Sequence, residues 1–187
     1  MDEDFTERLF THFVGGAWRA PLGTYAMPVT LQDGHVVGQV IAAEQADIAR
    51  LCRTMRGADP AARTRFATLI ARAADDLARA LAAQGANVGQ TAIAAMSGGV
   101  CHDHRAGGAP VCLCASVGHD PIWFGQRLGE GVSRGVAYCP PPNEVLFATL
   151  LAGLAAQADL PPGAFNLLHG DNARTKTLLT SAGVPCL

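Results

Sequence analysis

Charge is sparse in this sequence of 187 residues: 16% carry it, and lysine occurs once, at Lys176. Fourteen basic residues stand against sixteen acidic ones, a net charge of −2. No basic stripe offers a footprint for nucleic acid, and no polybasic cluster addresses a membrane surface. Long apolar runs are also missing. None approaches the roughly 18 residues that a membrane-spanning helix needs. The start, Met1-Asp2-Glu3-Asp4-Phe5, is acidic and has no apolar signal segment, so a cytoplasmic protein is expected. The phosphate-cradling patterns G-x-G-x-x-G and G-x-x-x-x-G-K-S/T do not occur. No G-x-S-x-G elbow surrounds Ser116.

What is present is an apolar fraction of 49%, a globular composition far from the disordered class. The length suffices for one domain with a real core. Six cysteines stand at 52, 101, 112, 114, 139 and 186. Without an export signal, reduced thiols are expected rather than a disulfide framework.

The pattern along the chain changes period. Residues 12–20 read as two short strands about a Gly-Gly turn, and Asp33-Gly34 marks a hairpin between two β-prone runs. Together they predict a three-stranded antiparallel start. Ile48, Leu51, Cys52 and Met55 then recur at helical spacing between Glu44 and Gly57. A second helix is predicted from about Ala61 to Gln84, with Phe66, Leu69, Ile70, Ala73, Leu77, Ala80 and Leu81 on one stripe. The stretch 85–110 is rich in Gly and Ala and reads as a connector, with one helix-like piece at 90–96. Its Gly98-Gly99 and Gly107-Gly108 pairs read as plain loop.

From 110 onward strands and helices alternate. The sequence "PVCLCASV" is a buried strand, residues up to Gly135 an amphipathic helix, and "VAYC" a second strand before Pro140-Pro141-Pro142. Residues 143–158 form an apolar helix with Asn143 as its N-cap. "LPPG" turns the chain, "AFNLLHG" is a third strand, and a last helix covers 172–182. This order implies an α/β fold with a parallel sheet covered by helices.

Chemistry-bearing residues concentrate at 101–119: Cys101, His102, His104, Cys112, Cys114 and His119. Zinc asks for thiolates and imidazoles that converge tetrahedrally. The spacing does not supply a C-x-x-C knuckle, and Cys112-x-Cys114 lies in an apolar strand. Alternation puts both thiols on one face, as small core hydrophobes. No metal site is assigned. Ser116, His119 and Asp120 are near in sequence, but nearness does not build a nucleophilic triad. Asp120 before Pro121 reads as a turn residue or helix cap. Trp18 and Trp123 read as core aromatics rather than ligand platforms. No catalytic residue is assigned.

Several of these segments together resemble the aldehyde dehydrogenase superfamily. "HFVGGAWRAP" is similar to its opening strand pair, followed by a hairpin containing "DGHVVGQV", a first helix in "AAEQADIARLCRTMRGA" and an Arg-rich helix in "ARTRFATLIARAADDLARALAAQG". "VLFATLLAGLAAQADLPPGAFNLLHGD" resembles the helix, Pro-Pro-Gly turn and strand of that family. The resemblance implies a partial Rossmann-type parallel sheet with helices on its faces and an antiparallel amino-terminal lead-in. It divides the chain into lead-in strands and a helix pair (1–84), a shortened linker (85–110) and a partial nucleotide-binding sheet (111–187). The superfamily reaction is the NAD(P)-dependent oxidation of an aldehyde to an acid.

The departures bear on function. Aligned on "LPPG", the family's Pro-Trp-Asn-Phe/Tyr-Pro motif falls on Val117-Gly118-His119-Asp120-Pro121, where only the last proline matches. The family's Lys-Pro-Ser-Glu motif falls on Cys139-Pro140-Pro141-Pro142. A thiol and a proline thus stand where lysine and glutamate hold the adenosine ribose, and they offer almost no donors. The resemblance also implies that the glycine-rich turn facing the pyrophosphate, the glutamate base and the cysteine-bearing domain would fall beyond residue 187. The pattern resembles the non-catalytic second half of two-unit aldehyde dehydrogenases. The expectation is a pseudoenzyme or structural subunit that associates with itself or with a full-length aldehyde dehydrogenase. Two alternatives are a residual NAD(P)-binding module, with Ser116 in the groove wall, and a metal-binding protein acting through 101–119.

Overall fold

A computed structural model describes residues 8–102 and 108–187. Among the described residues there are eight strands: β1 (Leu9–Phe10), β2 (His12–Val14), β3 (Ala17–Arg19), β4 (Ala26–Thr30), β5 (Val36–Ile41), β6 (Val111–Leu113), β7 (Val136–Tyr138) and β8 (Phe165–Leu167). Seven α-helices accompany them: α1 (Gln45–Cys52), α2 (Pro60–Arg72), α3 (Ala74–Ala83), α4 (Gln90–Cys101), α5 (Pro121–Val132), α6 (Val145–Gln157) and α7 (Asn172–Ser181). No helix among the described residues is long and apolar enough to cross a membrane.

The main sheet has the order β3-β2-β8-β7-β6. Its β6, β7 and β8 are parallel, with Leu113 opposite Tyr138 and Tyr138 opposite Leu167. The β2–β3 hairpin joins antiparallel to β8 through Phe13 and Leu167. The chain's last residues return to the far edge: Cys186 bridges Cys112 in parallel. Parallel strands buried on both faces need apolar residues throughout, and the three strands are buried at every position.

The lead-in differs from the predicted three-stranded antiparallel unit. The Asp33-Gly34 hairpin forms, with the His35 amide donating to Asp33 Oδ1 at 3.0 Å. But β4 and β5 make a separate sheet whose third strand, β1, lies parallel to β5. The hairpin at 12–19 belongs to the main sheet instead. Strand partners are set by distant residues, which local alternation does not specify.

Aspartates start three helices. Asp59, Asp120 and Asp171 accept from the amides of Ala62, Trp123 and Arg174, three residues on. Pro60 and Pro121 stand first in their helices, where the missing N–H costs nothing. The first helix ends at Cys52, short of Gly57. The predicted long helix breaks at Ala73, which leaves helical geometry (ψ 11°) between α2 and α3. Asn143 does not cap α6: it lies in a 3-10 turn, Pro142–Glu144, that leads into the helix.

Residues 85–110 hold more structure than a connector. α4 runs well past the 90–96 piece and buries Ile93, Met96 and Val100 against α5 and α2. Gly98 and Gly99 lie inside it. A side chain at Gly99 would sit 2.5 Å from the Gln126 amide nitrogen, and one at Gly125 would sit 2.2 Å from the Met96 carbonyl oxygen. The small residues therefore serve a close helix crossing. Gly107 lies outside the described residues. The core beneath these helices is aromatic, with Phe124 edge-on to Tyr138 at 5.2 Å and Phe66 beside Phe165 at 5.9 Å.

Candidate functional site

Open parallel sheets bind ligands beyond the carboxyl ends of their strands. Here those ends are Leu113, Tyr138 and Leu167, followed by the loop 114–120, the Pro-rich turn 140–144 and residues 168–170. A fully buried carboxylate fills the region between the first two. Glu144 accepts from the backbone amides of Val117 and Gly118, each at 3.1 Å. It also accepts from the Tyr138 hydroxyl at 3.2 Å and from the Ser116 hydroxyl. Four donors meet the four lone-pair positions of one ionised carboxylate. That satisfaction is what makes a wholly buried Glu tolerable. Burial, and then the neighbouring Glu144, push the Tyr138 hydroxyl well above its ordinary value, so it stays a protonated donor.

The turn is pinned from below. Gln84, buried at the end of α3, donates from Nε2 to the Pro142 carbonyl at 3.3 Å and accepts from the Leu146 amide at 2.8 Å. The second acceptance satisfies an orphan donor in the first turn of α6.

The sequence-predicted residues fare differently. Ser116, half-buried, donates its hydroxyl to Glu144. His119 is exposed and Asp120 caps α5, so the three neighbours 116, 119 and 120 do not form a relay. Cys139 is buried and Pro142 exposed. Cys101 and His102 lie exposed at the end of α4, and His104 falls outside the described residues. The thiols that do converge among the described residues are Cys112, Cys114 and Cys186. Both tryptophans depart from the core reading. Trp18 is 45% exposed and rests edge-on against Phe13, while Trp123 is 38% exposed beneath the Arg127 guanidinium.

Sequence reasoning missed Glu144, because the family alignment directed attention to Pro142, two residues before it. The available signal was an acid directly ahead of an uncharged apolar helix. It also missed a buried polar cluster between β2, the end of β8 and α1. There His12 Nδ1 accepts from the His169 amide at 3.2 Å, the two rings stack at 5.9 Å, and His12 Nε2 lies 3.9 Å from Asp47 Oδ2. Asp47 in turn accepts from the amides of Glu44 and Leu22. Burial lowers the His12 pKa to about 4, with Asp47 opposing and Arg50 assisting. Burial and then His12 lower that of His169 to about 3. Both rings are therefore neutral at pH 7.

This strand order and this placement of the strand-end turns define an aldehyde-dehydrogenase-like α/β fold, present in part. No family model and no curated protein matches the sequence. Solved structures do. Lactaldehyde dehydrogenase from Escherichia coli superposes with a TM-score of 0.76 at 12% identity, over 94% of this chain and 46% of that one. Gamma-glutamyl-gamma-aminobutyraldehyde dehydrogenase from Burkholderia cenocepacia J2315 gives 0.74 at 20% identity, over 93% and 44%. Indole-3-acetaldehyde dehydrogenase complexed with NAD+ gives 0.73 at 18% identity, over 94% and 49%. The chain thus spans less than half the length of these enzymes.

The residues present do not fit the NAD+ that the indole-3-acetaldehyde dehydrogenase structure carries. Cys139 turns into a buried apolar cluster with Ala137 and Leu168. Pro142 offers no donor, and Ser116 and the 117–118 amides are held by Glu144.

Proposed function

We propose that this chain is an aldehyde-dehydrogenase-like cofactor-domain unit, a single unit over 1–187, that acts as a structural subunit or partner of a complete dehydrogenase and does not oxidise aldehydes by itself. The observation that carries this reading is Glu144. A carboxylate occupies the strand-end groove and draws to itself the amides and hydroxyl that would otherwise face a ligand. An anionic dinucleotide brought there would meet a buried negative charge instead of donors, and like charges in a desolvated site repel strongly. The positions aligned with the family's ribose clamp, Cys139 and Pro142, support the same reading.

A role through association draws support from the surface. β3 has a neighbour on one side only, and Trp18, Leu22 and Tyr25 are 45%, 50% and 61% exposed. The test is NAD(P)-dependent oxidation of a panel of aliphatic and aromatic aldehydes by the pure protein. The expected result is no turnover above the protein-free rate, with light scattering reporting a species larger than one chain. Sustained turnover at micromolar protein would contradict the proposal.

A further inference from the structure

Four of the six cysteines gather at one place. The Sγ atoms of Cys112, Cys114 and Cys186 all lie within 4.8 Å of one another. Cys139 stands on the adjoining strand end, in the same buried cluster as the other three, and acts on the Cys114 thiol, while its own Sγ donates to the Ala137 carbonyl at 3.9 Å. The backbone fixes this set. Cys112 donates its amide to the Pro185 carbonyl at 2.8 Å and accepts from the Leu187 amide at 2.9 Å, which locks Cys186 beside it. The Cys139 amide donates to the Leu113 carbonyl at 2.9 Å, continuing the β6–β7 register. Strand alternation then turns Cys112, Cys114 and Cys139 to one face.

From these contacts we infer that Cys112, Cys114, Cys186 and Cys139 form a tetrahedral thiolate site for one thiophilic divalent cation of the zinc type. Four sulfurs about 2.3 Å from zinc stand about 3.8 Å apart. The ligands come from rigid strands and from a bridged chain end, so the site is organised before the ion arrives. An entry path exists, since Cys114 and Cys186 are only partly buried. The chain's single lysine, Lys176, acts on Cys112 and Cys186 and offsets part of the negative charge. Small hydrophobes filling a core would be equally served by alanine or valine, and would not need three sulfurs within 4.8 Å of one another with a fourth on the adjoining strand end.

Binding exchanges protons for metal. Each thiol that ligates releases one proton to solvent, so four thiols and one divalent cation give a complex of charge −2 and four protons. Without the ion, a hydrogen bond with Cys114, followed by burial, pushes the Cys112 thiol up, and burial pushes the Cys186 thiol up. Affinity therefore rises with pH.

The experiment titrates cobalt(II), then zinc(II), into the full chain after reduction and removal of chelator. The expected result is one equivalent of cobalt with the sulfur-to-metal charge-transfer and intense visible bands of a tetrahedral thiolate site, displaced by zinc at sub-micromolar Kd. Cys186→Ser, at a partly exposed position, should keep the wild-type circular dichroism and weaken zinc on the order of 100-fold, about one ligand's share. Cys114→Ser should do the same, while Cys52→Ser should leave binding unchanged. Failure of the reduced wild-type chain to take up either ion below micromolar concentration would overturn the site. So would uptake indifferent to Cys186→Ser.

Discussion

Replacing Glu144 by alanine is expected to destabilise the fold by about 4 kcal/mol, seen as a lower urea midpoint with an unchanged slope. The size follows from what the side chain leaves behind. Its carboxylate serves the Tyr138 hydroxyl, the amides of Val117 and Gly118, and the Ser116 hydroxyl. Tyr138 and Val117 are buried, so their donors would lose a partner without gaining water. Each such orphan costs about 1–3 kcal/mol. Glu144→Gln keeps one acceptor oxygen but aims an amide at donors, so a loss of about 2 kcal/mol is expected. Ser116→Ala removes one donor of four and leaves no buried orphan, which predicts a change below about 1 kcal/mol. Equal losses for the Ser116 and Glu144 replacements would contradict the four-donor arrangement around Glu144.

Stability should also fall steeply on mild acidification. The sign follows from where the protons go. Above pH 6.5, the ordinary histidine value, His12 and His169 are neutral folded and unfolded alike. As pH falls below it, the unfolded chain takes up protons that the folded chain refuses until about 4 for His12 and about 3 for His169. Unfolding is thereby favoured throughout that window, by about 2 kcal/mol per ring between pH 7 and pH 5. Urea unfolding at those two pH values would show it. A His169→Gln variant should lose about half of the pH dependence. A flat profile from pH 7 to 5 would mean that the rings are not held neutral in the fold.

These two polar clusters mark the boundary of what the sequence makes legible. Apolar runs bounded by turn residues locate β6, β7 and β8, because strands buried on both faces leave a continuous apolar signature. Asp120 before Pro121 locates the start of α5 through its cap. Partners are another matter. That Phe13 pairs with Leu167, or Cys186 with Cys112, depends on the closure of the whole chain. Gly98 and Gly99 look like loop in isolation and become a helix contact only because α5 presents Gly125 opposite. Ala73 carries no breaker, yet the helix bends there. Glu144 looks like a surface acid until Tyr138 and the 116–118 loop close over it. The family resemblance directed attention to the replaced positions, Cys139 and Pro142. The residue that answers them, two further on, needed three dimensions.

A strand-end groove filled by Glu144 is expected to reject a dinucleotide, which isothermal titration calorimetry of the full chain with NAD and with NADP measures. Neither nucleotide should give a heat of binding down to a millimolar Kd. Saturable binding with a micromolar Kd, weakened by Ser116→Ala, would contradict it.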